Sequence, residues 1–216
     1  IFGKTAGDPD GAGDYNVFIG ELAGGAGTQT DASDNNIGVG YSALTAVTSG
    51  TQNTAVGATS LILNTSGNFN IAIGTDTLGK NVSAHNNVAI GRQSGYWTTG
   101  ADNTYLGYKA GYGADGADAN NVGVGSSALV AVTIGSENTV VGALAGDALT
   151  EGTRNASLGH LSLSSDTEGD RSVAIGRSAL ETQNFTSSTN AYNTGVGYYA
   201  GRALTTGINN TLIGGL

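Results

Sequence analysis

Short runs in which apolar and polar residues alternate recur along the whole chain, and each run ends in glycine. The clearest runs occupy residues 53–57, 70–74, 87–91 and 138–142. Each reads asparagine, an apolar residue or threonine, a third residue, an apolar residue, and glycine. Because side chains alternate between the two faces of a strand, each run predicts a very short β-strand. The glycine permits the tight turn by which the chain leaves that strand.

The glycine that ends each run recurs with a nearly constant spacing. Eight of the twelve intervals are 17 residues, and the others are 20, 16, 18 and 21, for the series Gly3, Gly20, Gly40, Gly57, Gly74, Gly91, Gly107, Gly125, Gly142, Gly159, Gly176, Gly197 and Gly214. A small residue follows three positions later, and the next residue is leucine or glycine. Repeats of this length indicate stacked coils, since a single coil cannot bury its own apolar face.

The fold class that follows is all-β, a parallel β-solenoid (β-roll) with about twelve coils and a 17-residue repeat. We predict one repeat domain over residues 1–216. The chain begins and ends inside a strand motif, and natural solenoids usually carry capping elements. We therefore expect the domain to be a segment of a longer fibre.

The direction of the strand side chains predicts a surface between subunits. In the run at residues 70–74 we expect Ile71 and Ile73 to face the inside of the coil and Ala72 to face out. The asparagines should form an inward ladder that satisfies turn backbone groups. Small apolar residues on an outer face suggest close approach of another chain. The middle strand position therefore predicts a subunit interface made of Phe18, Ala55, Ala72, Ala89, Tyr105, Val140, Ala174 and Leu212.

Composition narrows the function. The chain has 37 glycines, no cysteine and a formal net charge of −9. The absence of cysteine excludes disulfides, thiol catalysis and cysteine-based metal sites. The acidic balance disfavours nucleic acid and anionic membranes, which need clustered lysine and arginine. No apolar run approaches the roughly 20 residues that span a bilayer, so we expect no membrane insertion by this segment.

Residues 171–179, which read RSVAIGRSA, resemble the repeat in the heads of trimeric autotransporter adhesins. Residues 53–67 are similar to repeat arrays of phage tail fibres and bacterial surface proteins. The resemblance implies a left-handed parallel β-roll, association of three chains around one axis, and attachment to a surface. It also implies an extracellular location, on a virion tail or a bacterial cell surface, and both origins remain open.

Binding residues are expected among the insertions and the aromatic side chains. Insertions relative to the repeat span residues 25–34, 112–119 and 181–191, and loops of solenoids often carry binding. Aromatic rings stack on sugars and anchor interfaces. The candidate surface-binding residues are Tyr96, Trp97, Tyr112, Phe185, Tyr198 and Tyr199. The alternative is that these rings cover coil edges or pack between subunits.

The sequence predicts no catalytic, cofactor-binding or metal-binding residues, and no enzyme activity. Residues 8–10 and 115–118 are rich in aspartate but lack the ligand spacing of known calcium loops. His85 and His160 occupy different repeat positions on distant coils, which disfavours a shared metal site. No pair of acidic residues suggests glycoside hydrolysis.

Three functions remain. The first is a structural and adhesive fibre segment whose partners are its own copies, as a homotrimer, and a cell-surface glycan or protein receptor. The second is an ice-binding solenoid that uses a threonine ladder at Thr48, Thr65, Thr99, Thr133, Thr150 and Thr167. The third, and least supported, is a fibre-borne polysaccharide depolymerase.

Overall fold

The structure is a computed structural model that describes residues 13, 15–25, 29–30, 33–113 and 116–215. It is an all-β parallel solenoid, and the described residues include no helix. The strands are β1 (Val17–Ile19), β2 (Ile37–Val39), β3 (Thr54–Val56), β4 (Ile71–Ile73), β5 (Val88–Ile90), β6 (Thr104–Leu106), β7 (Val122–Val124), β8 (Thr139–Val141), β9 (Ala156–Leu158), β10 (Gly169–Asp170), β11 (Val173–Ile175), β12 (Thr189–Asn190), β13 (Thr194–Val196) and β14 (Thr211–Ile213).

Twelve of these strands form one parallel sheet, in the order β1 to β9, β11, β13 and β14. Each strand pairs with the equivalent strand one coil later, in the register that the repeat predicts. Ala55 lies opposite Ala72, for example, and Ala72 lies opposite Ala89. The predicted solenoid and its repeat are therefore confirmed.

The predicted direction of the strand side chains is wrong. The middle residue points into the coil, and the two flanking residues lie on its outer surface. Ala55, Ala72, Ala89, Tyr105, Val140 and Ala174 are 0% exposed within one chain. Phe18 and Leu212 are partly buried and pack against the same core. These eight residues therefore fill the interior, and they do not form the predicted subunit interface.

The physical reason lies in the narrow interior of the coil. One strand side chain and one turn side chain share the space in each coil, so the strand residue is small where the turn residue is leucine. Ala72 and Leu78 are such a pair, and both are fully buried. Where the strand residue is large, glycine stands at the turn. A Cβ atom on Gly111 would overlap the Tyr105 ring, and one on Gly123 would lie 2.9 Å from it.

The asparagine ladder inside the coil is confirmed. Asn70 Nδ2 donates to Asn53 Oδ1 at 3.1 Å and to the carbonyl of Ala84 at 2.9 Å. Asn70 Oδ1 in turn accepts from the backbone N–H of Asn87 at 3.0 Å. Each asparagine thus links its own coil to the coils before and after it. Such bonds satisfy groups that would be costly to bury unpaired.

The glycine after each strand has a steric role. Gly57 has φ +132°, which L side chains rarely adopt, and a Cβ atom there would lie 2.5 Å from the carbonyl oxygen of Gly74 in the next coil. Stacked coils therefore require glycine in this column. The turns that follow contain many non-glycine residues in the left-handed region, including Leu61 at φ 48° and Leu78 at φ 49°.

Candidate functional site

The outer surface of the twelve-stranded sheet carries two parallel ladders of side chains, which we name the apolar sheet face. Its first ladder is Val17, Ile37, Thr54, Ile71, Val88, Thr104, Val122, Thr139, Ala156, Val173, Thr194 and Thr211. Its second ladder consists only of valine, isoleucine and leucine: Ile19, Val39, Val56, Ile73, Ile90, Leu106, Val124, Val141, Leu158, Ile175, Val196 and Ile213. Neither ladder contains a charged residue.

The apolar sheet face is open to solvent in the single chain. Val17 is 46% exposed, Ile73 38% and Leu158 51%. At about 4.8 Å per coil, eleven spacings give the face a length of about 53 Å. Soluble monomers rarely expose a continuous apolar surface of this kind, and such surfaces mark interaction sites. The expectation of an interface on the sheet therefore moves from the middle strand residue to its two neighbours.

A second feature lies on the turns beside the sheet, where seven side chains of three consecutive coils meet. We name it the Trp97 cluster, and its members are Lys80, Arg92, Tyr96, Trp97, Tyr108, Lys109 and Tyr112. The rings of Tyr96 and Tyr112 stack with centroids 5.5 Å apart, and Trp97 meets Tyr96 edge-on at 5.3 Å. The structure thus brings together three of the six predicted surface-binding residues.

Cations surround these rings. Lys80 Nζ lies 5.3 Å from the centroid of Trp97 and 5.8 Å from that of Tyr96. Lys109 Nζ lies 5.1 Å from the Tyr112 centroid. Arg92 and Lys109 also approach the Tyr108 ring, at 5.9 and 5.6 Å. Sequence reasoning missed the three cations and Tyr108. Lys80 precedes Trp97 by one repeat of 17 residues, and this spacing could have indicated their contact.

Tyr198 and Tyr199 form a separate group near the C-terminal coils. Their ring centroids are 4.1 Å apart, and Arg177 Nη1 donates to the Tyr199 hydroxyl at 2.6 Å. Arg202 lies 4.4 Å from the Tyr199 centroid and is paired with Glu181 at 2.7 Å. The two cations of this group, Arg177 and Arg202, are thus bound to acceptors, whereas Lys80, Arg92 and Lys109 have no carboxylate partner in the described part of the chain.

The prediction that Phe185 is a surface residue is wrong, because the insertion at residues 181–191 folds against the coils. Its side chain is only 7% exposed. Its backbone N–H donates to Asp166 Oδ1 at 2.9 Å, and its carbonyl accepts from Thr167 Oγ1 at 2.7 Å. The same insertion contains β12, which pairs in parallel with β10. The insertion therefore extends the solenoid wall.

The interior holds one buried carboxyl that pairs with a phenol. The hydroxyl of Tyr105 donates to Asp118 Oδ2, and Asp118 is 2% exposed. Burial raises the pKa of Asp118 to about 7, and burial likewise raises the pKa of Tyr105. Asp118 lies at the end of the insertion at residues 112–119, which follows the Trp97 cluster directly.

The threonine ladder exists, but its hydroxyl hydrogens are engaged. Thr48 Oγ1 donates to the carbonyl of Thr65 at 3.1 Å, and Thr150 Oγ1 donates to that of Thr167 at 3.1 Å. Thr99 Oγ1 bonds the carbonyl of Gly116 at 2.9 Å in the same way. These threonines therefore connect coils, which leaves their hydroxyls less able to donate to an external lattice of water.

The remaining sequence candidates are the aspartate-rich turns and the two histidines. No group of three potential metal ligands occurs in the part of the chain that the structure describes. Residues 8–10 and Asp115 lie outside that part. His85 is exposed and accepts a hydrogen bond from the backbone N–H of Asn68 at 2.9 Å. No helix suited to crossing a bilayer is found among the described residues.

The architecture places the chain in the class of parallel β-solenoid repeat proteins. Comparison with known proteins adds no narrower group, because no family model, no curated protein and no solved structure matches the chain.

Proposed function

We propose that this chain is a structural and adhesive segment of an extracellular trimeric fibre that attaches to a host or cell surface. The fibre would be a phage tail fibre or a bacterial surface adhesin. The observation that carries the proposal is the apolar sheet face, which runs along all twelve strands and has no partner among the residues that the structure describes.

Copies of the same chain suit this face better than an unrelated partner. The second ladder repeats one chemical type twelve times with the spacing of the coils. A parallel copy presents the same side chains with the same spacing, so every coil can meet an equivalent coil. Cyclic association then covers the face in every copy and leaves none open. The number three follows from the resemblance to the heads of trimeric adhesins.

The sign and distribution of charge also suit side-by-side association. The chain has a net charge of −9, yet neither ladder of the apolar sheet face includes a charged residue. Repulsion between copies is therefore weakest where the sheets meet, while charges elsewhere keep the rod soluble.

Light scattering on the purified chain tests the proposal. We expect three times the chain mass of 21.4 kDa. The double substitution Ile73→Lys and Ile90→Lys should give a monomer, because burying two unpaired charges in an apolar contact is costly. The matched control is Thr75→Lys with Ser126→Lys, which adds the same charge at exposed turn positions and should leave the trimer intact.

A monomeric wild-type chain would overturn the trimer. Thermal hysteresis shown by such a monomer would favour the ice-binding alternative, whereas release of sugars from a polysaccharide would favour the depolymerase. A dimer would retain the apolar sheet face as an interface but would contradict the resemblance on which the number three depends.

A further inference from the structure

We propose that the Trp97 cluster is a binding site for an acidic glycan, with sugar rings packed on its aromatic side chains and carboxylate or sulfate groups bound by its cations. The inference rests on the proposed function, since it gives the adhesive part of that function a site and a ligand class. The site lies within one chain and outside the apolar sheet face.

The first argument is charge. The whole chain has eight lysines and arginines against 17 acidic residues, and three of those eight cations lie in this cluster. Arg154 and Arg202 elsewhere are paired with glutamates at 2.9 and 2.7 Å. Among the described residues no carboxylate pairs with Lys80, Arg92 or Lys109 in this way. The cluster is thus a cationic patch on an acidic rod, and it favours an anionic ligand.

The second argument is the support of the rings. A Cβ atom on Gly79 would lie 2.6 Å from the Tyr96 ring, so this ring rests directly on the backbone of the preceding coil. Tyr112 stacks on Tyr96 from the following coil. The two tyrosines are therefore held by their neighbours and form a firm base beside Trp97. A preformed surface loses little conformational freedom when a ligand binds.

The third argument is the room around Trp97. Lys80 occupies the same repeat position one coil earlier, and its ammonium group lies 5.3 Å from the Trp97 centroid. Gly113 occupies that position one coil later and contributes no side chain that could cover the ring. Trp97 is half-buried, while Tyr108 beside Lys109 is 45% exposed. Aromatic surface and cations thus face solvent together.

Carbohydrate fits these features better than other anions. The apolar face of a pyranose ring packs on indole and phenol rings, and its carboxylate accepts hydrogen bonds from lysine and arginine. Coils are spaced by about 4.8 Å, which is close to the length of one sugar unit. An extended oligosaccharide could therefore follow the rod axis and meet each of the three coils with a successive unit.

Titration calorimetry with a galacturonate hexamer tests the proposal, with maltohexaose as the uncharged comparison. We expect the galacturonate to bind and the maltohexaose to bind at least about tenfold more weakly, with a difference that shrinks as salt is added. Trp97→Ala should weaken galacturonate binding about tenfold. Lys80→Gln should weaken it several-fold and reduce its salt dependence.

Two matched variants control for general effects. Leu63→Ala truncates the side chain at the repeat position of Trp97 two coils earlier, where Leu63 is 39% exposed. Arg171→Gln removes a cation that lies 5.8 Å from the Tyr192 ring in another part of the rod. Both should bind galacturonate as the wild type does. Thermal unfolding of all four variants verifies that each remains folded.

Separate outcomes overturn the two proposals. If galacturonate does not bind, or if Trp97→Ala and Lys80→Gln bind it normally, the glycan site is wrong even where the trimer is found. If a single-stranded oligonucleotide binds in its place, the ligand class is wrong. The Ile73→Lys and Ile90→Lys variant should still bind galacturonate, because no member of the Trp97 cluster lies on the apolar sheet face.

Discussion

Single residues in this chain are selected by the narrow interior of the coil. Asn70 is fully buried, and its amide makes bonds to both neighbouring coils. Where Ser172 replaces the asparagine of the ladder, Gln183 reaches in and donates to Ser172 Oγ at 2.9 Å. Asn193 Nδ2 then donates to Gln183 Oε1 at 2.9 Å. A lost hydrogen bond at one repeat position is therefore replaced from another position of the coil.

Asp118 makes stability depend on pH at the residue scale. Its pKa is raised to about 7 from 3.8 by burial, so the folded state holds the proton more tightly than the unfolded state. Stability from this group is therefore present at low pH and is lost as the pH rises toward 7. We expect the free energy of unfolding, measured with denaturant, to be about 2 kcal/mol lower at pH 8 than at pH 5.

The variant Asp118→Asn isolates this contribution. Its amide does not ionise, so the difference between pH 5 and pH 8 should shrink by most of that amount. Asp166 remains as the control, because burial raises its pKa too and its pH dependence persists in the variant. An unchanged pH difference in Asp118→Asn would contradict the assignment to Asp118.

The element of this fold is one coil, and its packing depends on a balance of volumes between the strand and the turn. Ala72 faces Leu78 in one coil, whereas Tyr105 faces Gly111 in another. Leu78 adopts φ 49°, and Gly111 adopts φ 55°. The turn backbone at Gly111 is thus already compatible with leucine, and the Tyr105 ring is what excludes it.

Exchanging the large and small residues at positions 105 and 111 tests this balance of volumes directly. In the wild type, Gly111→Leu should destabilise the protein because leucine would overlap the Tyr105 ring. Tyr105→Ala should cost about 3–5 kcal/mol, because it leaves a cavity. In the Tyr105→Ala background, Gly111→Leu should instead increase stability by filling that cavity.

Denaturant unfolding of the four proteins measures the coupling between the two sites. Both variants that carry Tyr105→Ala lack the phenol that bonds Asp118, so the effect of that lost bond cancels between them. If Gly111→Leu lowers the free energy of unfolding equally in both backgrounds, steric overlap with Tyr105 does not explain why residue 111 is glycine.

At the scale of the whole molecule, the described residues form a thin rod whose interior holds the asparagine ladder and apolar side chains, most of them alanine and leucine. Strands of three residues leave much aliphatic surface outside, as Ile73 and Leu158 show. The described part of a single chain has no second layer that covers the apolar sheet face. If copies of the chain associate as proposed, burial of this surface between them contributes much of the stability of the assembly.

Concentration dependence of thermal unfolding checks this expectation for the whole molecule. If folding and association are coupled, the unfolding temperature should rise with protein concentration. We expect this rise for the wild type and for the Thr75→Lys and Ser126→Lys control. The Ile73→Lys and Ile90→Lys variant should unfold at a lower temperature that does not depend on concentration. A concentration-independent wild type would show that each chain is stable without its copies.

The candidate sites were only partly predictable from single residues. Tyr96, Trp97 and Tyr112 were predicted as separate surface residues, and only the structure shows that their rings meet. The burial of Phe185 could not be predicted, because the contacts of its insertion with Asp166 and Thr167 are not part of the repeat. Lys80 and Lys109 become informative only when they are seen beside aromatic rings.

By itself, the sequence determined the coil, its period, the register of the strands and the inward asparagine ladder. These features depend on a repeat in which each residue has the same neighbours in every coil. Only the tertiary structure decided which face of a three-residue strand is inside. Alternation makes the two faces of Ile71, Ala72 and Ile73 distinct, but the volume left by the turn leucine determines that alanine fills the core and the isoleucines face out.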